Sequence, residues 1–122
     1  MKQIDSNKVK SQLEKQILNF LQLGWRSRQI KIGLDDTLKE LKKGRKGYII
    51  LAKDFSERSK RKLFNAYQGE TLEFSDKSTL GTALGKKEVG LIFVPYNSYG
   101  NKLKTLLQNY QTLEGGNNGC QK

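Results

Sequence analysis

Histidine is absent from this 122-residue chain, and cysteine, proline, methionine and tryptophan occur once each. The missing histidine removes the usual general base near neutral pH, the commonest metal ligand and every Ser-His or Cys-His nucleophile pair. The single cysteine, Cys120, lies in a Gly/Asn-rich tail, can form no internal disulfide and fits a reducing compartment. No apolar run approaches the roughly 20 residues that cross a bilayer. The opening Met1-Lys2-Gln3-Ile4-Asp5-Ser6 lacks the apolar core of a secretory signal. The expectation is a cytoplasmic, non-enzymatic protein, monomeric when free, with no metal, no cofactor and no membrane attachment.

Negative charge is scarce as well. Lys and Arg number 23 against 12 Asp and Glu, a formal net charge of +11. From residue 26 to 62 the imbalance is 13 to 5. Such a surface suits a polyanion, through phosphate contacts and counterion release. Inside that basic stretch, Ile32-Gly33-Leu34-Asp35-Asp36-Thr37-Leu38-Lys39 opens a helix with two adjacent carboxylates.

Hydrophobic residues make up only 35% of the chain, but they fall in short patterned runs that indicate one folded domain with a modest core. Val9, Leu13, Ile17, Phe20 and Leu21 predict a helix over 8–23 that ends near Gly24. Ile30-Lys31-Ile32 reads as a short strand, and a second helix runs from Leu34 to a stop at Gly44. Tyr48-Ile49-Ile50-Leu51-Ala52 and Val89-Gly90-Leu91-Ile92-Phe93-Val94 read as strands buried on both faces. Between them, Asp54-Phe55-Ser56 is expected to cap a third helix through Leu63, Phe64 and Tyr67. A strand at Thr71–Phe74 and a short helix over Ser78–Leu84 follow. Tyr99, Leu103, Leu106, Leu107 and Tyr110 mark the last helix. This strict alternation predicts an α/β fold, a three-layer α/β/α sandwich on a four-stranded mixed sheet. The expected domain covers 1–110, with a loose tail over 111–122.

Several pieces, taken in order, resemble the kink-turn-binding ribosomal-protein superfamily (the L-seven-a-e/L-thirty-e group), especially its small bacterial members of the YlxQ type. They are Leu21-Gln22-Leu23 with Arg26, then Gly33, Leu38, Lys39 and Gly44, then Ile50-Leu51-Ala52-Lys53-Asp54, Ser59 and Lys62-Leu63. Leu80-Gly81-Thr82-Ala83-Leu84-Gly85-Lys86-Lys87-Glu88 and the last helix complete the match, over about 13–108. The resemblance implies a domain that binds sharply bent RNA with two segments. In the first, patterned Gly-x-Asn-Glu-x-x-Lys in the family, stand Gly33, Asp35, Asp36 and Lys39. In the second stand Lys86, Lys87, Glu88 and Val89. Asp35 replaces the family's Asn and Asp36 its Glu, which adds a negative charge and removes an amide donor.

The residues have structural readings beside the functional ones. Asp35 and Asp36 favour the helix dipole and stand four and three residues before Lys39, at ion-pair spacing. The same carboxylates, with free backbone amides, suit hydrogen bonding to a guanine edge. Lys42 and Lys43, with Arg45 and Lys46, either complement a helix C-terminus or contact phosphate. Arg58, Lys60, Arg61 and Lys62 read as a solvated face. Trp25, between Arg26 and Arg28, either covers one end of the core or stacks on a base. Asp54 at a strand end has no partner base, phosphate loop or metal cluster beside it, so helix capping explains it. The functional expectation is RNA binding by phosphate contacts from Lys31, Lys39, Lys42, Lys43, Lys86 and Lys87, with Arg26 joining the RNA-binding residues because it matches a family Arg. Base recognition is expected near Gly33, Leu34, Asp35 and Asp36. The alternative is an interaction module whose basic face docks an acidic protein.

Overall fold

In the structure, a computed structural model, residues 6–114 are described. The elements run α1 (Ser6–Arg26), β1 (Lys31–Ile32), α2 (Leu34–Lys42), β2 (Gly47–Leu51), α3 (Glu57–Ala66), β3 (Thr71–Glu73), α4 (Lys77–Leu84), β4 (Leu91–Pro95) and α5 (Ser98–Glu114). The sheet order is β1-β4-β2-β3. β4 pairs antiparallel with both β1 and β2, and β2 runs parallel to β3, so the sheet is mixed.

The two continuous apolar runs occupy the two central strands because both faces of the sheet are covered. Tyr48, Ile50, Ala52, Ile92 and Val94 pack with Ile17, Leu21, Leu80, Leu103 and Leu107. The alternate residues Ile49, Leu51, Leu91 and Phe93 pack with Leu63 and Tyr67, flanked by Leu34 and Leu41. Period-two alternation thus divides the strands between two cores: α1, α4 and α5 cover one face, α2 and α3 the other. The expected α/β/α sandwich with a four-stranded mixed sheet is the observed fold.

Four local expectations are corrected. Gly24 does not end α1. It lies inside the helix, where a Cβ would collide with the Tyr99 phenol, whose hydroxyl donates to the Phe20 carbonyl at 2.6 Å. The helix runs on to Arg26 and is stopped by the turn at Arg28, which takes a left-handed conformation (φ 61°). There the Gln29 amide donates to the Gly24 carbonyl (2.8 Å) and the Arg28 amide to that of Trp25 (3.2 Å), the paired bonds of a Schellman stop.

Asp54 does not cap α3. Ser56 does, accepting from the Ser59 amide at 3.1 Å, while Asp54 Oδ1 accepts from the amide of Lys77, the first residue of α4, at 2.9 Å. β4 begins at Leu91 rather than Val89. Residues 111–114 continue α5, and the rest of the expected tail, with Cys120, lies outside the described residues. Among the described residues no helix is long and apolar enough to cross a membrane.

Candidate nucleic-acid interface

The start of α2 depends on one glycine. Gly33 is the N-cap at φ 94°, ψ 160°, a conformation essentially restricted to glycine, and no side chain caps the helix. Its amide donates to the Leu91 carbonyl at 2.9 Å and its carbonyl accepts from the Thr37 amide at 3.1 Å. Asp35 and Asp36 therefore ride on an exposed first turn that needs neither as a cap. The pairings with Lys39 allowed by their spacing are not formed: among the described residues, no ion pair or side-chain hydrogen bond involves Asp35, Asp36 or Lys39. Leu34 is a packing residue, turned against the core under α2 and α3. Thr37 is fully buried, with its hydroxyl unpartnered.

The second segment is shaped by the end of α4. Asp76 caps that helix, accepting from the Thr79 amide at 2.7 Å, and this hydrogen bond holds its carboxyl below the usual range. Gly81, within α4, lets the following loop lie against the helix. A Cβ there would stand 2.6 Å from the Lys87 carbonyl oxygen and 2.8 Å from the Glu88 Cα. Gly85 closes the helix in the left-handed region (φ 72°), and the Lys86 amide returns to the Gly81 carbonyl at 2.7 Å. The loop leaves this turn with Lys86, Lys87 and Glu88 exposed. Val89 departs from expectation. It is 1% exposed, in the core, with its amide bound to the Lys77 carbonyl at 3.0 Å, so its side chain is withdrawn from any ligand.

The sheet joins the two segments. Pairing of Ile32 with Ile92 and the Gly33–Leu91 hydrogen bond set the α2 start beside the chain that leaves the 86–90 loop. The end of α1 closes the third side. Lys86 Nζ stands 5.1 Å from the centre of the Trp25 ring. A cleft of about 380 Å³ is lined by Trp25, Arg28, Ile30, Lys31 and Asp36. A second, of about 300 Å³, lies between Gln22, Trp25 and Arg26 of α1 and Thr82–Gly85 at the end of α4. Gln22 bridges the two helices by donating to the Ala83 carbonyl at 2.8 Å.

Arg26, Lys31, Gly33, Asp35, Asp36, Lys86, Lys87 and Glu88 thus border one end of the domain, whereas Lys39 lies in the last turn of α2. Lys42 and Lys43 do not join them. They stand at the far end of α2, about 13 Å away along nine residues of helix. There the nearly buried Glu40 takes Arg45 at 3.2 Å and Lys43 at 3.5 Å. Glu70 is likewise committed elsewhere, to Lys104 at 2.7 Å. By contrast, Asp35, Asp36 and Glu88 have no such partner among the described residues. Charge at this end is therefore presented outward, as cations interleaved with carboxylate acceptors.

Two residues that shape this end, Arg28 and Gly81, are not among those the sequence marks as binding RNA. The Trp-flanking arginines and the two glycines around Thr82 are the signals that point to them. Trp25, whose sequence context favours a cover over the core, is 37% exposed. No group of three or more potential metal ligands occurs among the described residues.

No curated protein matches the sequence. A protein of unknown function from Bacillus halodurans C is 29% identical, with a TM-score of 0.66 over 75% of this chain and 96% of its own. The Giardia lamblia 15.5kD RNA binding protein shares the fold at 20% identity, with a TM-score of 0.61 over 84% of this chain and 90% of its own. The sequence model of one family matches residues 15–103, which contain the whole sheet, α2 through α4 and both site segments. The chain belongs to the ribosomal protein L7Ae/L30e/S12e/Gadd45 family.

Proposed function

We propose that this protein is a non-enzymatic, cytoplasmic RNA-binding protein that grips structured RNA, of kink-turn-like or ribosomal type, at the end of the domain where α2 begins. The observation that carries the reading is the Gly33–Leu91 hydrogen bond (2.9 Å), which sets a helix start with free acceptors beside a basic loop. Family membership and the RNA-binding relative in Giardia support it.

In this reading Arg26, Lys31, Lys39, Lys86 and Lys87 contact phosphates and set the register of the RNA. Asp35 and Asp36 accept hydrogen bonds from base-edge N–H groups, a guanine edge being the best donor to a carboxylate. Glu88 offers a further acceptor from the opposite segment. Lys42 and Lys43 are left for a more distant arm of the RNA, and Lys43 faces it with its charge already shared with Glu40. Within the family we assign the chain to the small bacterial members of the YlxQ type, on the sequence resemblance described above.

The test is a gel-shift series with kink-turn RNA, an unkinked duplex of equal composition and an acidic polypeptide as competitor. Preference for the kinked RNA supports the proposal. Equal binding of both RNAs reduces it to non-specific polyanion binding. Failure to bind either RNA at low salt, with capture of the acidic polypeptide, replaces it with a protein-docking function.

A further inference from the structure

Trp25 is the only tryptophan of the chain, and it is 37% exposed at the end of α1. Both clefts at this end of the domain use it as a wall. Cations surround it: Lys86 lies over one face of the ring at 5.1 Å, Arg26 borders one cleft, and Arg28 and Lys31 border the other. Two Schellman turns hold this arrangement, the one at Arg28 that ends α1 and the one at Gly85 that ends α4. Gln22 locks the two helix ends together. The indole is therefore presented on fixed elements rather than on a loop tip.

An exposed indole among four cations, with Asp36 the only acid in either lining, matches a ligand that is both planar and anionic. Unpaired nucleotides have both properties. The base stacks on the ring and its phosphates meet the cations, a combination that binds single-stranded nucleic acid with little dependence on base identity. An acidic peptide would satisfy the cations and leave the ring unused.

We propose that Trp25 is a stacking platform for one unpaired nucleotide of the bound RNA, adjoining the main contact at the start of α2. Arg26 and Lys86 would neutralise the phosphates on either side of it. This rests on the RNA-binding reading given above. It adds a contact from α1 and α4 that neither the α2 start nor the 86–90 loop supplies.

The lone tryptophan makes the test specific. The probes are kink-turn RNA with blunt ends and the same RNA carrying four-adenosine single-stranded extensions at its 5′ or 3′ end. At least one extended RNA is expected to quench Trp25 fluorescence and to bind about 5- to 150-fold more tightly than the blunt form. Trp25→Ala should lose that increment, read as the ratio of extended to blunt affinity within each variant, and Trp25→Phe should retain part of it. Circular dichroism of both variants checks that the fold is intact. Binding of every RNA with unchanged tryptophan emission and no loss in Trp25→Ala overturns the platform and leaves the RNA-binding function standing. Absence of binding to any RNA overturns both.

Discussion

The amide of Gly33 donates to the carbonyl of Leu91 across 2.9 Å, and through this bond the first turn of α2 is fastened to the strand that follows the basic loop. The bond requires Gly33 at φ 94° and ψ 160°. A Cβ at this position meets no atom within 4 Å, so substitution costs backbone strain rather than collision. Gly33→Ala should therefore destabilise the fold by about 1–3 kcal/mol, measured by chemical denaturation. RNA affinity should fall as well, even where the variant is still fully folded. A variant as stable as the parent would mean that the helix start relaxes into an ordinary cap.

Gly81 presents the opposite situation, since its Cβ would strike the backbone of Lys87 and Glu88. Gly81→Ala gains helix propensity of about 1 kcal/mol and meets an overpacking cost of roughly 1–3 kcal/mol. The net loss of stability should stay within about 2 kcal/mol. The functional effect should be larger, because the displaced element carries Lys86, Lys87 and Glu88. Titration of the kinked RNA reads it directly; unchanged affinity would separate this loop from the RNA.

Much of the fold is legible in the sequence because it is written locally. Continuous apolar runs at Tyr48–Ala52 and Val89–Val94 can only be central strands, and the periodic helices between them can only cover the two faces. What the sequence hides is long-range. Gly24 reads as a helix stop until Tyr99, 75 positions later, is found lying against it. Asp54 reads as a cap for the helix it precedes, yet its partner is the amide of Lys77. Lys42 and Lys43 read as neighbours of Gly33 in sequence, and nine residues of helix carry them to the other end. Trp25 reads either as a cover over one end of the core or as a stacking surface, because its exposure depends on what α4 leaves uncovered. The two site segments and Arg26 are visible in sequence, whereas the clefts that join Trp25 to α4 and to β1 are not.

A pH effect on stability should come from Glu70, far from the site. Its Oε1 accepts from Lys104 Nζ at 2.7 Å and from the Tyr96 hydroxyl at 3.0 Å. The Lys104 hydrogen bond is the main cause that holds its carboxyl below the ordinary value. A depressed carboxyl pKa stabilises the fold above the unfolded-state value, roughly 4.3, and that stabilisation disappears as the pH falls through the lower folded-state value. Glu70→Gln should thus melt below the parent at pH 7, with the gap closing as the pH drops below about 4. A gap independent of pH would place the effect in packing instead.

Lys86 and Lys87 stand exposed, and neither forms an ion pair with a described residue. Each alanine substitution should lower the slope of log affinity against log salt by about 0.7–0.9 for each phosphate that the lysine neutralises. Lys43→Ala serves as the contrast, because that ammonium lies 3.5 Å from Glu40. Its slope should change less than that of either loop variant. Equal slopes for all three would mean that the cations act only through the overall charge of the protein.

Asp35→Asn separates the two roles open to the acidic pair. Asp35 neither caps α2 nor pairs with Lys39, so removal of its charge leaves every described hydrogen bond and ion pair intact. Only its attraction to the helix dipole is forfeited, and the melting temperature should scarcely move. Against RNA the same change removes a negative charge from among phosphates and supplies an amide donor. One repulsion between exposed charges at contact distance is worth on the order of 1 kcal/mol, so affinity for kinked RNA should rise about 3- to 10-fold at low salt. The gain should shrink as added salt screens the charges. Unchanged affinity with a lower melting temperature would assign Asp35 to the helix alone and leave base recognition to Asp36 and Glu88.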